Sequence, residues 1–295
     1  MEYFDQAESL GSKSRERITQ YLQEIGDDDA ADRFGRKTTG GQGLAGRVFG
    51  NDQYAYTGIV LGYIAEGAGG GSVPIANAST MDANQSLKGS RIKITLDKFY
   101  VESYPGLGTH SILCEFAGKN QIVGNPEEMR FALTTEVNDK SSAAISGAPV
   151  FLGVSVGQDG IAFEGRLINV RSSTDELLID ALGTDTLRSG LSLLTVAQPA
   201  LKPFVGLASN AVKAVLSRSK NRQIYSFRLG LDFGKGSTSA GLQHGSYVVV
   251  QADTAMWDWS NVAWNSDSSS VILKSSGESI PFNYMVFGVT EFSGP

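Results

Sequence analysis

The chain is poor in the residues from which most active sites and metal sites are built. Its 295 residues include one cysteine, Cys114, and two histidines, His110 and His244. A single cysteine makes no internal disulfide, which favours a reducing compartment. A zinc site needs several His or Cys ligands at local spacing, and none is present. Neither histidine has a neighbouring Ser or Cys in a recognisable nucleophile context, and no Gly-x-Ser-x-Gly elbow occurs. Cys114 falls beside Leu113 in a predicted strand, which reads as a buried, inert thiol. Long apolar runs are missing as well: no stretch of about 18 apolar residues suits a transmembrane helix. Met1 to Gln20 lacks the apolar core of a signal peptide. A cytoplasmic location is therefore expected, with no cofactor, no metal and no small-molecule substrate read from the residues.

Charge is also scarce, at 19% of residues with a net value of −6. An acidic surface argues against nucleic acid as a partner. Proline is rare (8 residues) whereas glycine is abundant (35 residues). Gly-rich, Pro-poor chains with many short apolar runs favour turns and strands over long helices.

Ile18, Tyr21, Leu22 and Ile25 follow helical spacing and predict a helix over 13–25, ended by Gly26. Asp27-Asp28-Asp29 then reads as a solvated acidic turn, because adjacent carboxylates point different ways. Residues 35–89 carry 13 glycines, and only Tyr54 to Ala65 reads as strand. This gives an N-terminal region, 1–90, of acidic helix and Gly-rich arm. Arms of this kind become ordered against a neighbour.

Strict alternation at Arg91-Ile-Lys-Ile-Thr-Leu opens a first β-sandwich-like module, 91–172. Ser111 to Phe116, Arg130 to Val137, Val150 to Val156 and Ile161 to Val170 continue it, with a hairpin expected at Gln158-Asp159-Gly160. A basic helical connector, 173–222, is predicted from a short helix at 175–182 and a longer one from Pro203 to Ser217. Arg222 to Phe233, Ser246 to Gln251, Val271 to Lys274 and Asn283 to Phe292 form the strands of a second β module, 223–295. The expected fold is mainly β: two sandwich-like modules joined by a helical connector.

Two motifs invite a phosphate-binding reading. Gly41-Gln42-Gly43-Leu44-Ala45-Gly46 fits a glycine fingerprint, yet neither an apolar strand before it nor a helix after it is predicted. Leu229-Gly-Leu-Asp-Phe-Gly-Lys-Gly resembles the first phosphate loop of the actin and Hsp70-like ATPases. Only 54 residues follow Gly241, too few for the ATPase body that family requires after the loop.

Two features remain. All three tryptophans lie in Trp257-Asp258-Trp259-Ser260-Asn261-Val262-Ala263-Trp264. Aromatic rings beside carboxylates on a loop suit either a contact surface or a plug at the end of a sandwich. The layout resembles C2-like domains and sugar-binding sandwiches, which implies lipid or glycan contact. Between Thr186 and Leu231 there are seven Lys or Arg residues and no acid, whereas residues 1–35 carry nine acids and four bases. Such asymmetry suits a directed electrostatic contact. The candidate partner-binding residues are Trp257, Trp259, Trp264, Asp258, Lys213, Arg218, Lys220 and Arg222. The expected function is non-catalytic assembly or partner binding, with the chain itself or another protein as partner. The alternatives are a membrane-acting effector, meeting an anionic lipid surface through the basic helix and the Trp loop, and a carboxylate-dependent hydrolase.

Overall fold

The computed structural model describes residues 3–35, 52–120, 127–171, 212–217, 220–234 and 239–294. The helix expected at 175–182 lies outside these residues, as do the glycine fingerprint and most of the helix expected from Pro203. Its last part is seen, with 212–216 helical.

The expected N-terminal helix is present as α1 (Arg15–Glu24), with the Ser14 side chain accepting from the Arg17 amide. Ile18, Tyr21 and Leu22 form its buried stripe. Gly26, at φ 79°, ends it: the Gly26 amide donates to Gln23 and the Asp27 amide to Leu22, satisfying the last carbonyls. The acidic turn is a different object from the one expected. Asp27 is buried; its Oδ1 accepts from the Ala30 amide and its Oδ2 from the Gly106 amide at 2.8 Å. Asp27 thus caps α2 (Asp28–Gly35) and pins a distant loop, while Asp28 and Asp29 stay exposed in the first turn, where the helix dipole favours them.

The chain is mainly β. In order, the strands are β1 (Ile59–Ala65), β2 (Ser72–Pro74), β3 (Ala76–Asn77), β4 (Arg91–Val101), β5 (His110–Asn120), β6 (Glu127–Val137), β7 (Ser141–Ser142) and β8 (Ala148–Ser155). They continue as β9 (Gly160–Val170), β10 (Arg222–Asp232), β11 (Ala240–Gly241), β12 (Gly245–Gln251), β13 (Val262–Asn265), β14 (Ser270–Leu273) and β15 (Tyr284–Glu291). Among the described residues they make a sheet in the order β3-β1-β12-β15-β4-β7, with β8 also on β4, a five-stranded sheet β11-β10-β9-β5-β6, and a small sheet β14-β13-β2.

Strand pairing crosses the connector. β4 hydrogen-bonds β15, with Ile94 opposite Val289, and β9 hydrogen-bonds β10, with Glu164 opposite Arg228. Both large sheets therefore mix strands from 91–172 and 223–295. The hairpin expected at 158–160 is not a paired hairpin. β8 pairs with β4, and β9 with β5 and β10. A tight turn, closed by mutual Gly157 and Gly160 backbone bonds, carries the chain from one sheet to the other.

The inner faces of the large sheets share one core. Phe287 of β15 meets Phe116, Phe163 and Phe227 of the five-stranded sheet with ring centroids 5.6, 5.3 and 5.9 Å away. Each fully buried phenylalanine contributes about 2–3 kcal/mol through lost contact with water. Because β5, β9, β12 and β15 lie inside their sheets, their outward side chains need cover too.

Candidate functional site: two opposite outer faces

The tryptophan segment covers the outer face of the larger sheet. Val60 and Ile64 of β1, Val248 and Val250 of β12, and Tyr284 and Val286 of β15 point outward and form a second apolar cluster with Val262 and Val271 of the small sheet. Trp257, Trp259, Trp264 and Phe282 pack around its margin and are half-buried. Trp264 sits in β13 between Val73 and Val271, so it belongs to the small layer itself. Trp259 lies over Gly62 of β1, where a Cβ would come within 2.5 Å of its ring. Trp257 stands edge-on to both Trp259 and Phe282, at 5.1 and 5.3 Å.

The loop that carries the rings is locally braced. Asp253 accepts from the Ala255 amide, Asp258 from the Ser260 amide at 2.8 Å and the Asn261 side chain, and Asn265 from the Asp267 and Ser268 amides. The Ser260 amide holds the Asp258 carboxyl below the usual carboxylate range. Asp253, Asp258 and Asp267 are all exposed. The surface is therefore preformed, aromatic and acidic, and ordering it on contact costs little side-chain entropy.

The basic residues lie on the other side of the molecule. Val212 and Val215 of the 212–216 helix pack on Leu113, Ala132, Ile168 and Val170. Leu113 faces away from the core to which its strand neighbours Ile112 and Cys114 belong. The helix thus covers the outer face of the five-stranded sheet and leaves Lys213 exposed, as are Lys220 and Arg222 just beyond it. Arg222 lies 5.9 Å from the Tyr21 ring. Arg218 lies outside the described residues. The eight candidates thus do not converge on one site. Trp257, Asp258, Trp259 and Trp264 occupy one outer face, and Lys213 and Lys220 the opposite side, whereas Arg222, in register with Asn169, turns toward Tyr21 of α1.

A third arrangement is absent from the residues singled out in the sequence. Glu115, fully buried in β5, accepts from Arg130 at 3.0 Å and from Arg166 at 2.6 Å. Phe4 lies against both cations, with Arg166 4.5 Å and Arg130 5.9 Å from its ring. Glu164, also buried, accepts from the Tyr3 and Phe4 amides and pairs with Arg228 at 2.9 Å. The N-terminal segment is therefore latched across the five-stranded sheet beside the basic helix. One signal was available: Glu115 interrupts the apolar run Ile112-Leu113-Cys114-Glu115-Phe116-Ala117, and a charge in a buried strand requires a partner.

The remaining chemistry-bearing groups have structural surroundings. Cys114 is buried, which raises its thiol pKa well above the ordinary value. His110 is buried and bonds Asp139 at 2.9 Å. Among the described residues, no group of three or more His, Cys, Asp or Glu side chains is placed to hold a metal ion, and no helix is long and apolar enough to cross a membrane. No protein-family model, curated protein or solved structure matches this chain.

Proposed function

We propose that the protein acts by association, its aromatic, acidic face meeting the basic face of a second copy. The observation that carries this reading is the placement of the two faces on opposite outer sides of the sandwich. A contact between unlike faces is heterologous. A joined pair still presents one free face of each kind, so growth closes into a ring or continues as a filament. The half-buried Trp257 and Trp259 would supply anchors, and the exposed Asp253, Asp258 and Asp267 would steer Lys213 and Lys220 of the next copy. A flat lipid surface reaches only one of two opposed faces at a time, which favours protein association over the membrane reading. Glu115 and Glu164 are held in ion pairs with arginines, which gives no support to a carboxylate hydrolase.

The test is light scattering on the full chain across a dilution series and two salt concentrations. Wild type should grow beyond 31.4 kDa with concentration and loosen in salt. The pair Asp253→Lys with Asp258→Lys, and the pair Lys213→Glu with Lys220→Glu, should each stop growth. Mixing the two variants should restore it, since each reversed face then meets its complement. A 31.4 kDa monomer in every condition, or variants that associate like wild type, would overturn the proposal.

A further inference from the structure

We infer a second, independent site: a groove between α1 and the start of β10 that binds a small molecule bearing an oxyanion, a carboxylate or a phosphate. The cavity has a volume of about 290 Å³, near the lower end for small-ligand pockets. Its floor is Leu10, Tyr21 and Gln223, all buried, and its walls bring Lys13, Arg17 and Arg222 together.

The charges of the walls are unevenly matched. Lys13 is committed to Glu8 at 3.0 Å. Glu24, the other lining carboxylate, accepts from the neutral Gln20 amide at 3.0 Å, so three cations against two carboxylates leave the walls with one net positive charge. Arg17 and Arg222 have no ion pair with a carboxylate among the described residues, and the Arg222 guanidinium lies over the face of Tyr21. Gln223 spends its amide nitrogen on Asp5 and Ser9 and its oxygen on Arg166, so it is a fixed floor. Arg17 and Arg222 line one concavity, and their planar forks suit the paired oxygens of a carboxylate or phosphate. The Tyr21 ring and Leu10 offer apolar contact to the rest of such a molecule. Burial pushes the Tyr21 phenol up to about 12, and its hydroxyl accepts from Asn169 at 3.0 Å, so it stays a neutral wall. This site is separate from the assembly faces.

The experiment is calorimetric titration of the full-length protein at low ionic strength, with inorganic phosphate in one arm and citrate in the other. Saturable one-to-one binding of at least one probe is expected, and the tighter arm tells a tetrahedral from a planar oxyanion. Arg17→Gln and Arg222→Gln should each weaken it by about tenfold or more. Both residues are exposed, and a melting curve for each variant verifies its fold. Lys88→Gln serves as a control for diffuse charge, because Lys88 lies against Phe233 beyond the far end of β10. It should bind like wild type. Failure of both probes to saturate, unchanged binding by Arg222→Gln, or an equal loss in Lys88→Gln would overturn the assignment.

Discussion

The two outer faces of the sandwich solve the same problem by opposite means. Over the larger sheet the cover is apolar: valines of β1, β12 and β15, with Tyr100 of β4 and Tyr284 of β15, meet valines of the small sheet, with aromatic rings around the margin. Over the five-stranded sheet, part of the cover is ionic: Glu115 and Glu164 reach out to Arg130, Arg166 and Arg228, and Tyr3 and Phe4 close over them. An apolar cover is held by area and tolerates reshaping. An ionic cover is held by geometry and fails when one partner is lost. The two covers differ in what they leave open: the ionic latch fixes the N-terminal segment, whereas the aromatic margin stays half-exposed.

Breaking the latch should give the largest effect. Glu115→Ala leaves two largely buried guanidinium groups without their common partner, which should cost about 3–5 kcal/mol in urea unfolding. Replacing Glu115, Arg130 and Arg166 together by Leu, Met and Leu should recover most of that loss, because the desolvation cost leaves with the charges. A single substitution costing under about 1 kcal/mol would show that the pairing contributes little beyond apolar contact. The aromatic margin should respond more mildly. Trp259→Ala uncovers Gly62 and the sheet beneath it, yet the ring is only half-buried. A loss of about 2 kcal/mol is expected, below the range for fully buried aromatics. A loss as large as that of Glu115→Ala would remove the contrast between the covers and recast Trp259 as core.

How far these covers were legible follows from what each rests on. Alternation located β4, where inward Ile92, Ile94 and Leu96 alternate with polar residues, and short runs rich in apolar residues located β5, β9, β10, β12 and β15. Pairing was not legible. Nothing local to Arg91–Val101 distinguishes β15, almost two hundred residues away, from a nearer partner; the match is made by faces that fit after collapse. For the same reason Gln158-Asp159-Gly160 read as a hairpin, though the turn leads from one sheet to the other. Of the candidate site, the tryptophan cluster and the basic stretch were visible as composition. Their separation onto opposite faces depends on the sandwich and was invisible. Asp27 departs from the solvated turn that its acidic neighbours suggest because it binds the Gly106 loop, 79 positions along the chain.

The smallest expected effect tests whether the larger sheet's outer face stays sensitive to charge beside its aromatic cover. Asp97 of β4 lies over Gly288 of β15, where an added Cβ would come within 2.5 Å of its carboxylate. Burial raises the carboxyl pKa above its ordinary 3.8, against the opposing hydrogen bond from Thr95 and the charge of Lys93. A carboxyl whose folded pKa is raised binds more protons folded than unfolded. Its ionisation therefore lowers stability as pH rises from about the unfolded pKa, near 3.9, through the folded one, and the penalty persists at neutral pH. Asp97→Asn removes the charge and keeps an oxygen for Thr95. Its melting temperature should exceed that of wild type at pH 7, and the gap should close toward pH 3.5. The sign separates the alternatives: were Asp97 stabilising through Lys93, the variant would melt below wild type at pH 7 and approach it in acid. That outcome would make this face, like its opposite, one held by ion pairing.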